Sequence, residues 1–121
     1  MTKPAKLKFT IYQGATFRKR LTWKAPDGTP IDLTGCTARM QVRSEVESDV
    51  VLLSLTTENG GITLGGSAGT VNLYLGAVAT AALAFEGGVF DLEIIHPGAL
   101  PDDVTRLGQG YLNVSPEVTR D

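Results

Sequence analysis

TARMQVR, residues 37–43, alternates apolar and polar side chains along its whole length. Because successive side chains of a β-strand point to opposite faces, Ala38, Met40 and Val42 share one face. The other face carries only polar and cationic side chains, namely Thr37, Arg39, Gln41 and Arg43. This stretch therefore predicts a strand with one buried face and one face turned to solvent or to a partner.

The same period of two recurs on both sides of this strand. It predicts further strands at residues 6–12, 17–23, 62–64, 71–75, 90–94 and 104–114, the last interrupted by Gly108 and Gly110. Residues 50–55 are almost continuously apolar, which is typical of a strand covered on both sides. Residues 77–85 read AVATAALAF and predict one short helix that ends at Gly87-Gly88.

These seven or eight short strands are separated by turn signals such as Asp27-Gly28 and Asn59-Gly60. That spacing predicts a β-sandwich or a small barrel. We expect an all-β fold, a small antiparallel β-sandwich (Ig-like) of about 7–8 strands with one short helix near residues 77–85. A length of 121 residues fits one domain, so we expect a single β-sandwich domain over 1–121 with flexible polar ends.

Composition limits the possible functions. A hydrophobic share of 42% and a charged share of 20% are typical of a folded globular chain. A net charge of -2 gives no reason to expect nucleic acid as a partner. With one cysteine and one histidine, neither an intrachain disulfide nor a four-ligand zinc site is expected, and we predict no cofactor. The N-terminus lacks a signal peptide and no apolar run approaches membrane-spanning length, so no membrane partner is expected.

Few side chains are suited to catalysis. His96 is the only histidine, and nothing in the sequence orients it as a general base. Asp91 and Glu93 share a strand face and would suit glycoside hydrolysis or a cation, or would pair with Arg39 and Arg43 across the sheet, which we favour. No serine or cysteine lies in a nucleophile motif. We therefore predict no catalytic residues and expect that the protein is not an enzyme.

A turn-forming segment, DLTG, lies between the second and third predicted strands. Asp32 and Thr34 have short oxygen-bearing side chains that bond nearby backbone, and Gly35 permits a bend. We predict a structural corner at Asp32, Leu33, Thr34 and Gly35.

Four arginines are candidates for contact with a partner. Arg18 and Arg20 face away from the apolar side of the second strand, and Arg39 and Arg43 do so on the third. If the two strands are neighbours, the four form a stripe that would bind an acidic surface or phosphate. The alternative, which we favour, is a solvated outer sheet face.

Several short segments together resemble small β-sandwich proteins of tailed bacteriophages. They are QGATF (13–17), DGTPIDLTG (27–35), GITL (61–64), GTVNLYL (69–75), FDLEI (90–94) and TRLGQGYLNVSPEVTR (105–120). Families with this outline include the N-terminal domain of baseplate upper proteins and tail-fibre connectors, and the resemblance covers about residues 9–120. The matching positions look like corner and packing residues: Gly14, Asp32, Leu33, Thr34, Gly35, Asp91, Leu92 and Gly110.

The resemblance implies a virion structural protein, a tail, baseplate or tail-fibre adaptor present in multiple copies in a symmetric assembly. Its partners would be other virion proteins, and it would be located in the virion tail after synthesis in the host bacterial cytoplasm. The alternative is a carbohydrate- or receptor-binding β-sandwich module. A third reading is an accessory domain of a hydrolase.

Overall fold

A computed structural model describes residues 3–98 and 103–120 of the chain. These residues form eight β-strands and one short α-helix. In chain order the elements are β1 (Ala5–Tyr12), β2 (Phe17–Thr22), β3 (Thr37–Arg43), β4 (Leu53–Thr56), β5 (Ile62–Leu64), β6 (Thr70–Leu75), α1 (Ala77–Ala81), β7 (Gly87–His96) and β8 (Asp103–Ser115). No helix in the described ranges has the length and apolar character needed to cross a membrane.

The strands form a five-stranded sheet in the order β1-β8-β7-β3-β4 and a three-stranded sheet in the order β2-β6-β5. This order makes β8, β7, β3 and β4 equivalent to strands G, F, C and C′ of an immunoglobulin-type sandwich, and β2, β6 and β5 to B, E and D. The predicted Ig-like β-sandwich is confirmed. One pairing differs from the antiparallel expectation, because β1 runs parallel to β8 from Ala5↔Gly108 to Tyr12↔Ser115.

Alternating side chains from both sheets fill the core. Phe9 in β1 stacks on Phe90 in β7 with ring centroids 5.1 Å apart, and Phe17 in β2 lies 6.1 Å from Phe9 across the two sheets. The apolar face predicted for β3 is buried as a whole, with Ala38, Met40 and Val42 at most 1% exposed. Burial of each such large apolar side chain contributes about 1.5–3 kcal/mol to stability.

The predicted short helix within residues 77–85 is α1, which ends at Ala81. Leu83 and Phe85 pack against the core instead, and the chain must leave the helix to bring them there. Gly87 and Gly88 begin β7 rather than ending a helix. A Cβ at Gly88 would overlap the Arg43 carbonyl of neighbouring β3, so β3 and β7 pack closely only with glycine there.

Two strand predictions need correction. The apolar run 50–55 is not a strand covered on both sides, because β4 begins at Leu53 and is the last strand of its sheet, and Val50 is 63% exposed. The last strand is not interrupted at its glycines, since β8 runs through both of them. A Cβ at Gly110 would overlap the Leu7 carbonyl oxygen of β1, so glycine permits the β1–β8 pairing.

The extent of the domain and the flexible ends stay predictions. From Ala5 onward the N-terminal segment is strand rather than a free end. Near the other end, the Glu117 amide donates to the Gln13 side-chain oxygen at 2.9 Å.

Candidate functional site

The outward face of the five-stranded sheet, called here the outer face, is an ordered array of polar side chains. Strand register places three cross-strand rows side by side. The first row is Gln41, Asp91 and Gln109, the second Arg39, Glu93 and Arg106, and the third Arg43, Val89 and Tyr111. On β1 the first and third rows continue into Lys6 and Lys8.

Carboxylates on the outer face are matched with arginines. Arg39 Nε lies 2.8 Å from Glu93 Oε1, and Arg106 Nε lies 3.6 Å from Asp91 Oδ2. Both carboxylates therefore have a cation beside them on the adjacent strand, as cross-strand pairs of opposite charge favour. A carboxylate occupied in this way is poorly placed to act as a general acid or a nucleophile.

A shallow depression of about 410 Å³ lies across these rows, between β3, β7 and β8. Its wall includes Arg43, whose guanidinium donates to the Ser48 carbonyl at 2.6 Å and to Gln41 Oε1 at 2.9 Å. These two bonds fix the guanidinium before any partner arrives. Val46, which is 80% exposed, stands at the rim and adds an apolar contact. We call this depression the groove.

The four predicted partner-facing arginines do not form one stripe. Arg39 and Arg43 lie on the outer face, whereas Arg18 and Arg20 are on β2, which belongs to the other sheet. The two pairs therefore face opposite sides of the sandwich. On β2, Arg18 lies over the Tyr74 ring at 5.5 Å and Arg20 Nε donates to Asn72 Oδ1 at 2.9 Å.

Four residues of this surface were not predicted from the sequence: Arg106, Gln109, Tyr111 and Val46. The register between β7 and β8 shifts between Leu92 and Glu93, which inserts one extra residue into β8. The bulge turns Leu107 to the core side and Arg106 to the outer face. Simple alternation counted back from Tyr111 gives the opposite assignment. Val46 lies in a loop, where alternation carries no signal.

The DLTG corner is held by local hydrogen bonds. Asp32 Oδ1 accepts from the Thr34 hydroxyl at 2.6 Å and from the Thr34 amide at 3.0 Å. These two bonds, the hydroxyl first, hold the pKa of the Asp32 carboxyl below its ordinary value. Leu33 is 1% exposed and Gly35 has a φ of +80°, which favours glycine. How much the corner stabilises the fold stays a prediction.

His96 has neighbours that the sequence did not indicate. Its Nδ1 lies 3.5 Å from Cys36 Sγ, and its Nε2 lies 3.3 Å from Thr105 Oγ1. Burial, with the charges of Asp32 and Asp103, raises the pKa of the Cys36 thiol, so the sulfur stays protonated and weakly nucleophilic. In residues 3–98 and 103–120, no three His, Cys, Asp or Glu side chains cluster as a metal site.

No family model matches the chain, and no curated protein sequence matches it. Solved structures do resemble it. One is the extracellular domain of the voltage-gated sodium channel beta4 subunit, described as a parallel homodimer with a role in cell-cell adhesion. It is 11% identical to this chain with a TM-score of 0.50, and the match covers 98% of each chain. A sodium channel beta subunit studied for cell-adhesive interactions is 12% identical over 94% of this chain and 95% of its own, with a TM-score of 0.48. Tim-1 is 14% identical over 98% and 100%, with a TM-score of 0.40. At these identities the likeness shows the fold alone.

These comparisons overturn the predicted resemblance to phage tail proteins. No phage family matches, and the similar structures are Ig-like extracellular domains. The expected virion function, virion tail location and virion partners are therefore wrong. The quoted segments lie in the strands of this sandwich and in the connections between them. Multiple copies remain compatible with the comparison, because the beta4 neighbour forms a homodimer.

Proposed function

We propose that this chain is a non-catalytic, Ig-like binding module that recognises a receptor protein through its outer face. The observation that carries this proposal is the groove, where arginine and glutamine side chains meet on one sheet surface, with Tyr111 next to it on the outer face. This proposal replaces the virion role with the alternative expected from the sequence, a carbohydrate- or receptor-binding module. Of the two kinds of ligand, we propose a receptor protein.

The composition of the outer face supports a protein partner. Arginine and tyrosine are enriched where protein interfaces carry most of their binding energy. Arg43 is held in place by Ser48 and Gln41, so it loses little conformational freedom on binding. Tyr111 is 46% exposed in the same cross-strand row, with Val89 between it and Arg43, and offers a rigid ring to a partner. The exposed Val46 supplies apolar area at the rim.

The chemistry of the titratable groups supports a role without catalysis. Asp91 and Glu93 are each beside an arginine, and the Cys36 thiol has a raised pKa beside a histidine that contacts Thr105 rather than a carboxylate. A catalytic thiol needs a lowered pKa and a base that is held in position beside it, so this arrangement does not favour nucleophilic catalysis.

A paired binding screen tests the proposal. The purified chain is applied to a panel of receptor ectodomains and, in parallel, to a glycan array. Arg43→Glu with Tyr111→Ala removes the two candidate anchors, and Arg20→Glu with Tyr74→Ala makes the same changes on the opposite face. Anchors of this type each contribute about 2 kcal/mol or more, so the groove variant should lose at least roughly thirtyfold in affinity.

The control variant should bind the receptor as the unmodified chain does. Equal losses in both variants would show that the outer face is not the binding face. Binding to glycans alone, lost in the groove variant, would replace the receptor with a carbohydrate.

A further inference from the structure

Charge is divided unevenly along this chain. Residues 1–24 hold seven of the eleven lysines and arginines and no aspartate or glutamate. The rest of the chain therefore carries four cations against thirteen carboxylates. Such asymmetry within one domain indicates an electrostatic role for the segregated charge.

The fold places five of these seven cations on β1 and β2, the strands at one edge of the sandwich, with Lys6 and Lys8 turned to one face and Arg18 and Arg20 to the other. β1 and β2 are each the first strand of their sheet, and they lie beside each other, since Phe9 and Phe17 touch and both strands line one cleft of about 250 Å³. No carboxylate in the described part of the chain comes within ion-pair distance of the cations on these strands. We call the exposed set the cationic edge: Lys6, Lys8, Arg18, Lys19 and Arg20.

The opposite edge is acidic. β4 and β5 are the last strands of their sheets, and Gly61 before β5 packs directly against Leu55 of β4. Residues 44–59 contain four carboxylates and no lysine or arginine. Arg43 contacts this segment through the Ser48 carbonyl rather than through a carboxylate. We call the exposed carboxylates the acidic edge: Glu45, Glu47, Asp49 and Glu58.

We propose that a second copy of this chain docks its acidic edge against the cationic edge of the first. Five positive side chains then meet four negative ones. Two copies related by a twofold axis through either edge would place like charges together. The contact is therefore head-to-tail, and each added copy leaves one free edge of each sign, so association continues or closes into a ring.

The attraction acts through side chains rather than through strand pairing. Asn59 covers the free backbone of β4, because its side chain accepts from the Thr56 amide at 2.9 Å and donates to the Ser54 carbonyl at 3.0 Å. Exposed ion pairs contribute at most about 1 kcal/mol each, so with four acidic side chains we expect a dissociation constant of about 1 mM. Such contacts are also screened by salt, with a Debye length of about 30 Å at 0.01 M and 3 Å at 1 M.

A charge-swap experiment tests the docking. Lys8→Glu with Lys19→Glu reverses part of the cationic edge, and Asp49→Lys with Glu58→Lys reverses part of the acidic edge outside the groove. Each variant is studied by sedimentation velocity at about 1 mM protein, alone and mixed, in about 0.01 M and 1 M salt. Lys24→Glu with Arg120→Glu changes the net charge as the first variant does, but outside β1 and β2.

The unmodified chain should associate at low salt and dissociate at high salt. Each edge variant alone should associate at least roughly tenfold more weakly. An equal mixture should regain association, because each reversed edge fits the other. The control variant should behave as the unmodified chain does.

Three results would each overturn the docking: an unmodified chain that stays monomeric at low salt, edge variants that associate normally, or a mixture that fails to recover. A monomeric chain that binds immobilised heparin through the cationic edge would assign that edge to a polyanion instead. Loss of receptor binding in the groove variant would leave this result unchanged, so the two proposals fail separately.

Discussion

At the scale of single residues, short polar side chains hold the loops of this fold in place. Thr80 of α1 is fully buried, and its Oγ1 accepts from the Gly14 amide at 3.0 Å and lies 2.9 Å from the Ala15 carbonyl, to which it donates. One hydroxyl thus ties the helix to the β1–β2 turn. Asp32 holds the DLTG corner in a similar way, because its carboxylate accepts a hydrogen bond from the Thr34 amide in place of a backbone carbonyl.

Asp32 should stabilise the fold in a pH-dependent way. Its pKa is lowered from an ordinary value of 3.8 by the two bonds from Thr34. A carboxyl with a lowered folded-state pKa stabilises above its unfolded-state pKa, and this stabilisation is lost as the pH falls through the folded-state pKa. Asp32→Ala should therefore lower the urea midpoint at neutral pH, and the gap from the unmodified chain should shrink as the pH falls below 3.8.

Asp32→Asn keeps an acceptor oxygen and should lose less stability at neutral pH than Asp32→Ala. A gap for Asp32→Ala that is constant from neutral to acidic pH would show that the carboxylate charge is not its source.

At the scale of elements, the free edge of β4 is closed by one side chain. Besides the two bonds to β4, Asn59 Oδ1 accepts from the Gly61 amide at 2.8 Å. The side chain thus takes the position that an added strand would occupy, which is how a sheet edge avoids pairing with other chains.

Asn59→Ala should expose this edge. We expect faster hydrogen exchange of the Thr56 amide and association that persists in about 1 M salt, because strand pairing is not screened as surface charge is. Asn59→Asp retains the acceptor for Thr56 and should protect that amide largely as asparagine does. If the Thr56 amide exchanges at the same rate in all three chains, Asn59 is not an edge cap.

Local sequence patterns predicted where most strands lie, but not which strands pair with each other. Alternation located β3 and β7 because each has one buried face, and that signal lies within a few residues. The continuous apolar run at residues 50–55 gave a wrong prediction, since a position at the edge of a sheet depends on whether another strand pairs on that side. The groove depends on the bulge in β8, and the separation of Arg18 from Arg39 depends on which sheet each strand joins. These are pairings between remote segments, which no local pattern encodes.

At the scale of the whole molecule, the fold is closed by its two ends. β1 pairs with β8 between residues about 100 positions apart, whereas β7 and β8 are adjacent strands. Closing so long a loop costs conformational entropy before any contact repays it. We therefore expect β7 and β8 to pair in the folding transition state and β1 to join afterwards.

Gly110→Ala tests this order, because the nearest atoms to the added Cβ all belong to Leu7 of β1, so the substitution acts first on the β1–β8 pairing. The substitution should lower the free energy of unfolding by about 1–3 kcal/mol. Most of this loss should appear as an unfolding rate that is roughly 5–100-fold higher, while the folding rate changes by less than about twofold. Ile94→Val, in the buried face of β7, costs about 0.5–1.5 kcal/mol and should instead slow folding. Stopped-flow chevrons in urea measure both rates. A folding rate lowered by Gly110→Ala as strongly as by Ile94→Val would place β1 in the transition state, and the chain would then close its ends before its hairpins are complete.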